Sequence, residues 1–117
     1  MISLLQPLQM ENKDGLTYLV LWLCDMFDEA YSFRETLGHI QQVLGGTTQA
    51  TYSLPREVPG EDCVEGRLIW EAREFSLYYE RSLGYMQFSS KSSVEVEALS
   101  SALSPNIALQ RTAFGSR

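Results

Sequence analysis

The stretch from Cys63 to Ser90 alternates apolar and polar residues with a period of two, and no other feature constrains the fold as tightly. Val64, Leu68 and Trp70 share one face of an extended run, with Glu65 and Arg67 on the other. Phe75, Leu77 and Tyr79 repeat the pattern against Ser76, Tyr78 and Glu80, as do Met86 and Phe88 against Tyr85 and Gln87. Successive side chains of a strand point to opposite faces, so each run offers one face to a core and one to water. The turns, near Ala72-Arg73 and Arg81–Gly84, are short. Such runs joined by short turns predict an antiparallel meander over about 63–90.

A one-faced meander needs a cover, and helices supply it. Ser32-Phe33-Arg34-Glu35 has the form of a capping box, and Phe33, Leu37, Ile40 and Leu44 then fall on one stripe. Gly45-Gly46 ends that helix, because glycine takes the left-handed cap conformation without a Cβ clash. A last helix starts at the Ser92/Glu95 box, carries Val96, Leu99 and Leu103, and stops at Pro105. Thr47–Leu54 reads as a short strand and Pro55–Gly60 as a loop. Near the start, Ile2–Met10 alternates loosely around Pro7, which restricts any strand there to an edge or an early end, and Glu11–Gly15 reads as a polar turn.

Leu16–Ala30 supports two readings. Leu16, Leu19, Val20, Leu23 and Phe27 recur at helical spacing behind Asp14, which favours a helix. Asp14-Gly15 also suits a hairpin turn leading into a buried strand. In either case the segment is apolar nearly all round, and in the helical reading Tyr18, Leu21 and Trp22 fall outside the main stripe. A small domain has little surface with which to cover them, so these three residues are expected at the interface of a homodimer, with burial of Trp22 in the core as the rival and with a weaker case if the segment is a central strand covered on both faces. The expected fold is therefore α+β: a single domain over 1–104, with the meander packed against two to three helices, and an irregular tail over 105–117 that contributes little to folding.

Charge excludes some functions. Seven bases against fifteen acids before residue 105 leave the body at −8, and Arg111 and Arg117 bring the 117-residue chain to −6. Phosphate binding needs a basic footprint, so no nucleic acid is expected, nor an anionic membrane surface. The longest apolar run, Leu16–Cys24, is too short to span a bilayer, and Met1–Leu5 lacks the positive start of a signal peptide, so the expected compartment is the cytoplasm. There Cys24 and Cys63, which form no CxxC, are expected as buried free thiols.

Catalytic signatures are missing. His39, the single histidine, points about 200° from Leu37 around the helix, toward water, with Glu35 as an ordinary surface neighbour. One histidine and two distant cysteines do not make a zinc site. Asp25, Asp28 and Glu29 share a helical face but lack the carbonyl loop of a calcium site, so they are expected in solvent, and neither metal nor cofactor is expected. The candidate recognition face is the polar side of the meander, where Glu65, Arg67, Tyr78 and Glu80 gather with Glu71, Arg73, Glu74 and Arg81. Tyrosine and arginine are enriched among interface anchors, although Arg–Glu pairs on a wet sheet face are also common structure.

Asn106-Ile107-Ala108-Leu109-Gln110-Arg111-Thr112-Ala113 resembles the translated edge of the recombination site carried by bacterial integron gene cassettes, departing at Ile107, where lysine is frequent. The resemblance implies a mobile-cassette origin and is silent on fold and activity. Phe27–Glu35, followed by Leu37, Ile40 and Val43–Gly46, is similar to the helix–Ser–helix segment of some small bacterial immunity-type proteins. Those are acidic α+β domains that bind and neutralise a toxin, and the shared features are caps and a core stripe. These readings imply a non-enzymatic binding protein, neutralising a basic protein partner. The alternative is a small-ligand binder or enzyme with a pocket between sheet and helices.

Overall fold

The computed structural model describes residues 2–23 and 33–109. The fold is α+β. Its strands are β1 (Ile2–Leu4), β2 (Gln9–Lys13), β3 (Leu16–Trp22), β4 (Ala50–Ser53), β5 (Val64–Trp70), β6 (Arg73–Glu80), β7 (Tyr85–Ser90) and β8 (Ile107–Leu109). The helices are α1 (Phe33–Val43) and α2 (Ser93–Leu103). Six strands form one antiparallel sheet in the order β2-β3-β7-β6-β5-β4, and β1 and β8 form a separate parallel pair.

The expected meander is present as β5-β6-β7, with the expected faces. Phe75, Leu77, Tyr79, Met86 and Phe88 point into the core. Both helices cover this inner face. Phe33, Leu37, Ile40 and Leu44 from α1, and Val96, Leu99 and Leu103 from α2, meet it in one cluster. The Phe33 ring stacks on Tyr79, with centroids 3.8 Å apart and planes 8° from parallel. Gly45 and Gly46, both at positive φ, close α1, and the Gly46 amide donates back to the Gln41 carbonyl over 2.8 Å. At the start of α2, the Ser92 hydroxyl accepts the Glu95 amide.

Leu16–Trp22 is a strand, which overturns the helical reading for those residues; two helices, not three, stand among the described residues. The deciding feature is the turn before it. Asp14 and Gly15 have φ of 54° and 80°, and Lys13 pairs with Leu16 across a two-residue loop. That geometry matches the twist of flanking antiparallel strands. It also turns Glu11-Asn12-Lys13, expected as part of a polar turn, into the end of β2. With neighbours on both sides, β3 sends Leu19 and Leu21 into the core and Val20 to the opposite face, where it is nonetheless 1% exposed. Cys24, Asp25, Phe27, Asp28, Glu29 and Ser32, which carried expectations about thiols, cations and capping, lie outside the described residues.

The chain end departs from an irregular tail in one stretch. After a single 3-10 turn at Ser104–Asn106, Ile107–Leu109 pairs in parallel with Ile2–Leu4. Ile107 packs against the core, beside the fully buried Ile2 and Leu4.

A second unforeseen feature is the approach of β4 to β5. A Cβ on Gly66 would lie 2.5 Å from the Ser53 carbonyl oxygen and 2.6 Å from Leu54 Cδ2. Backbone is the harder of these two obstacles to move, so Gly66 lets the edge strand close on its neighbour. Gly66→Ala is expected to destabilise the fold by about 1–3 kcal/mol, the usual cost of overpacking, as read by urea unfolding. Truncation after Ser104 removes β8 and uncovers apolar side chains; a loss of about 1–3 kcal/mol is expected in the same measurement, against a change near zero for a tail that does not dock.

Candidate functional site

Strand register determines which side chains meet on the outer face. One cross-strand row runs Ser53, Arg67, Ser76, Ser89, Tyr18 and Glu11. The next runs Glu65, Tyr78, Gln87, Val20 and Gln9. A third brings Glu80, Tyr85 and Trp22 side by side. Short serines lie beside longer Tyr78 and Gln87, so the surface dips along the first row. The result is an open trough of about 680 Å³, lined by Ser53, Glu65, Arg67, Ser76, Tyr78, Gln87 and Ser89, with Gly66 and Leu77 at its base.

Three of the four expected recognition residues, Glu65, Arg67 and Tyr78, line this trough, and Glu80 stands beside it. The Tyr78 hydroxyl donates to Glu80 Oε1 over 2.7 Å. That bond, followed by a contact to Cys63 Sγ at 3.9 Å, pushes the phenol above its ordinary range. Glu80 also accepts from the Ser82 hydroxyl at 3.2 Å. Arg67 pairs diagonally with Glu74 over 3.3 Å, both side chains being well exposed (64% and 58%). Screening makes such a pair weak, but it does balance the one cation in the trough. Glu65 is exposed and has no ion pair or side-chain hydrogen bond among the described residues.

Other expectations need correction. Leu21 is fully buried among core residues, so it is not available to a dimer interface. Tyr18 and Trp22 are on the outer face, half-buried, and Trp22 meets Tyr85 edge to face at 5.1 Å. Cys63 is exposed rather than buried, because it follows the loop at positive φ with its amide held by Asp62. Glu71 and Arg73 do not join the trough: they pair with each other at the β5–β6 turn, where the guanidinium lies over Trp70. His39 is exposed on α1. Among the described residues no group of three or more His, Cys, Asp or Glu is placed to hold a metal. No helix among them is long and apolar enough to cross a membrane.

No protein family, curated protein or solved structure matches this chain. The space between sheet and helices is filled by the core cluster, and the trough lies on the opposite face. Sequence reasoning missed Ser53 and Ser89 as members of the trough. Period-two alternation gave the outward positions of Ser76 and Gln87, but no sequence signal announced that β7 would sit between β6 and β3.

The Tyr78–Glu80 bond has a signed pH signature. Its contribution is complete below pH about 10, the ordinary tyrosine value, and is lost as pH rises through the higher folded value. The stability advantage of wild type over Tyr78→Phe is therefore expected to hold up to about pH 10 and to narrow above it, as measured by denaturant midpoints across the alkaline range. A constant difference would show that the hydroxyl contributes nothing to the fold through this bond.

Proposed function

We propose that this chain is a non-enzymatic binding protein that recognises a basic protein partner through the outer face of its sheet. The observation that carries the reading is the pairing state of the charges there. Arg67 is balanced by Glu74, whereas Glu65 and Glu80 have no cationic partner within ion-pair distance among the described residues. Tyr78, Tyr85 and Trp22 stand between and beside these carboxylates, giving the amphipathic contact area typical of interface anchors. The −6 charge of the chain favours approach by a cationic surface. The resemblance of Asn106–Ala113 to a translated recombination site supports a mobile-cassette origin, and the similarity of 27–46 to immunity-type proteins supports a neutralising role.

The aromatic strip of Tyr18, Trp22 and Tyr85 also favours a second use of this face, a homodimer. One set of samples tests both readings. Affinity capture with wild type and with Glu65→Lys/Glu80→Lys identifies a candidate partner, which is then purified and titrated against both chains. A basic partner that loses at least about tenfold in affinity to the double variant is expected. A partner bound equally by both chains would overturn the basic-partner reading. Light scattering decides the dimer: a mass near 13.3 kDa leaves the face free, and a doubled mass halved by Trp22→Glu assigns it to self-association.

A further inference from the structure

Within the trough, one nearly buried side chain turns its polar atom to the open side and bonds to no protein group among the described residues. Ser89 is 6% exposed and lines the trough, on the face opposite inward-pointing Phe88. Its hydroxyl makes no hydrogen bond among the described residues, although neighbouring polar groups are engaged: Tyr85 donates to Gln87 Oε1, and Tyr78 donates to Glu80. Water reaches this hydroxyl from the open side, and a ligand that displaces that water has to supply a donor in its place.

The chemistry around Ser89 selects the kind of partner. Ser76 adjoins it in the same cross-strand row, and Gln87 and Glu65 belong to the next. Hydroxyls, the amide oxygen and the carboxylate can all accept hydrogen bonds. Glu65 supplies a negative charge without a counterion, while Arg67, toward the β4 end of the row that holds Ser76 and Ser89, is turned toward Glu74 in an exposed, weak pair. Tyr78 contributes an aromatic ring between Glu65 and Gln87. A group that is cationic, planar and rich in donors satisfies all of these, and guanidinium is that group: it presents five donors in a fork and stacks on aromatic rings, whereas an ammonium is a compact point charge.

We infer that the trough is the receptor for an arginine side chain of the basic partner, with Glu65 pairing the guanidinium, Ser89 and Ser76 accepting from its edge, and Tyr78 flanking its plane. The inference rests on the basic-partner reading and sharpens it to one anchor residue.

The test uses the full chain, 15N-labelled, titrated with the peptide Ac-Arg-Arg-Arg-NH2 and with its lysine and citrulline counterparts. Expected are saturable amide shifts centred on Ser89, Gln87, Glu65 and Tyr78, with the lysine peptide roughly fivefold weaker and no saturable binding of the citrulline peptide. Glu65→Gln, at an exposed site that the fold does not need, is expected to weaken binding about tenfold, and Ser89→Ala about fivefold. Glu57→Gln, on the 55–60 loop, serves as a charge control and should leave affinity unchanged. Equal binding of the citrulline peptide, or wild-type affinity in Glu65→Gln, would overturn the assignment. Shifts centred instead on Glu80 and Glu11 would also overturn it while leaving a basic partner on the outer face. Shifts away from the outer face altogether would remove both readings.

Discussion

Phe33 lies flat on Tyr79, and that contact joins the first turn of α1 to a strand in the interior of the sheet. Much else follows from it. If Tyr79 points inward, Tyr78 and Glu80 must point outward, because strand side chains alternate. A slip of one residue in β6 would bury Glu80 and Tyr78 and expose Phe75, Leu77 and Tyr79, so the core fixes the register and the register fixes the outer face. The outer face is in this sense a by-product of the core: no hydrogen bond on the outer side needs to hold Glu65, Tyr78 and Gln87 in a row, since the ladder that buries their neighbours already does so.

This coupling explains what the sequence revealed and what it hid. In Val64–Ser89 each run is half-buried, so the alternation is clean and both faces could be read off directly. In Leu16–Trp22 even an outward residue, Val20, is covered by its neighbours, which erases the alternation and lets the segment mimic a helix. The turn chemistry of Asp14-Gly15 held the correct answer, and pattern alone outweighed it. Ile107–Leu109 was hidden for a different reason: three residues are too few to show a period, and their pairing with Ile2–Leu4 joins the two ends of the described chain. The trough was half legible. Glu65, Arg67 and Tyr78 stand out by charge and aromaticity, but Ser89 lines the trough because it is outward-facing in a strand flanked on both sides, and a serine in a sequence does not signal that.

Not every turn follows the residue preferences that served at Asp14-Gly15. Glu71 and Ala72 have φ of 49° and 68°, values that favour asparagine and glycine. What holds them is the surroundings. The Glu71 amide donates to the Gln49 carbonyl over 3.0 Å, Glu71 pairs with Arg73, and Arg73 lies over the Trp70 ring at 4.6 Å. The hairpin end is thus clamped by Gln49, just before β4, and by contacts to its own strands. At the opposite end of β5, Arg34 does the equivalent work, forking onto Glu61 with bonds of 2.7 and 2.9 Å and reaching the Pro55 carbonyl, which ties the long 54–63 loop to α1.

These two clamps stand at opposite ends of β5, the strand that supplies Glu65 and Arg67. Between them Gly66 gives up a side chain so that β4 can close in, which brings Ser53 beside Arg67 at the rim of the trough. Two of these contacts, a cation over an indole and a close backbone approach, act on β5 itself, and the third, a bidentate ion pair, fixes the loop that leads into it. Side chains on a strand so restrained have little conformational freedom left to lose, which is the condition that would let a few exposed charges bind a partner without a large ordering cost.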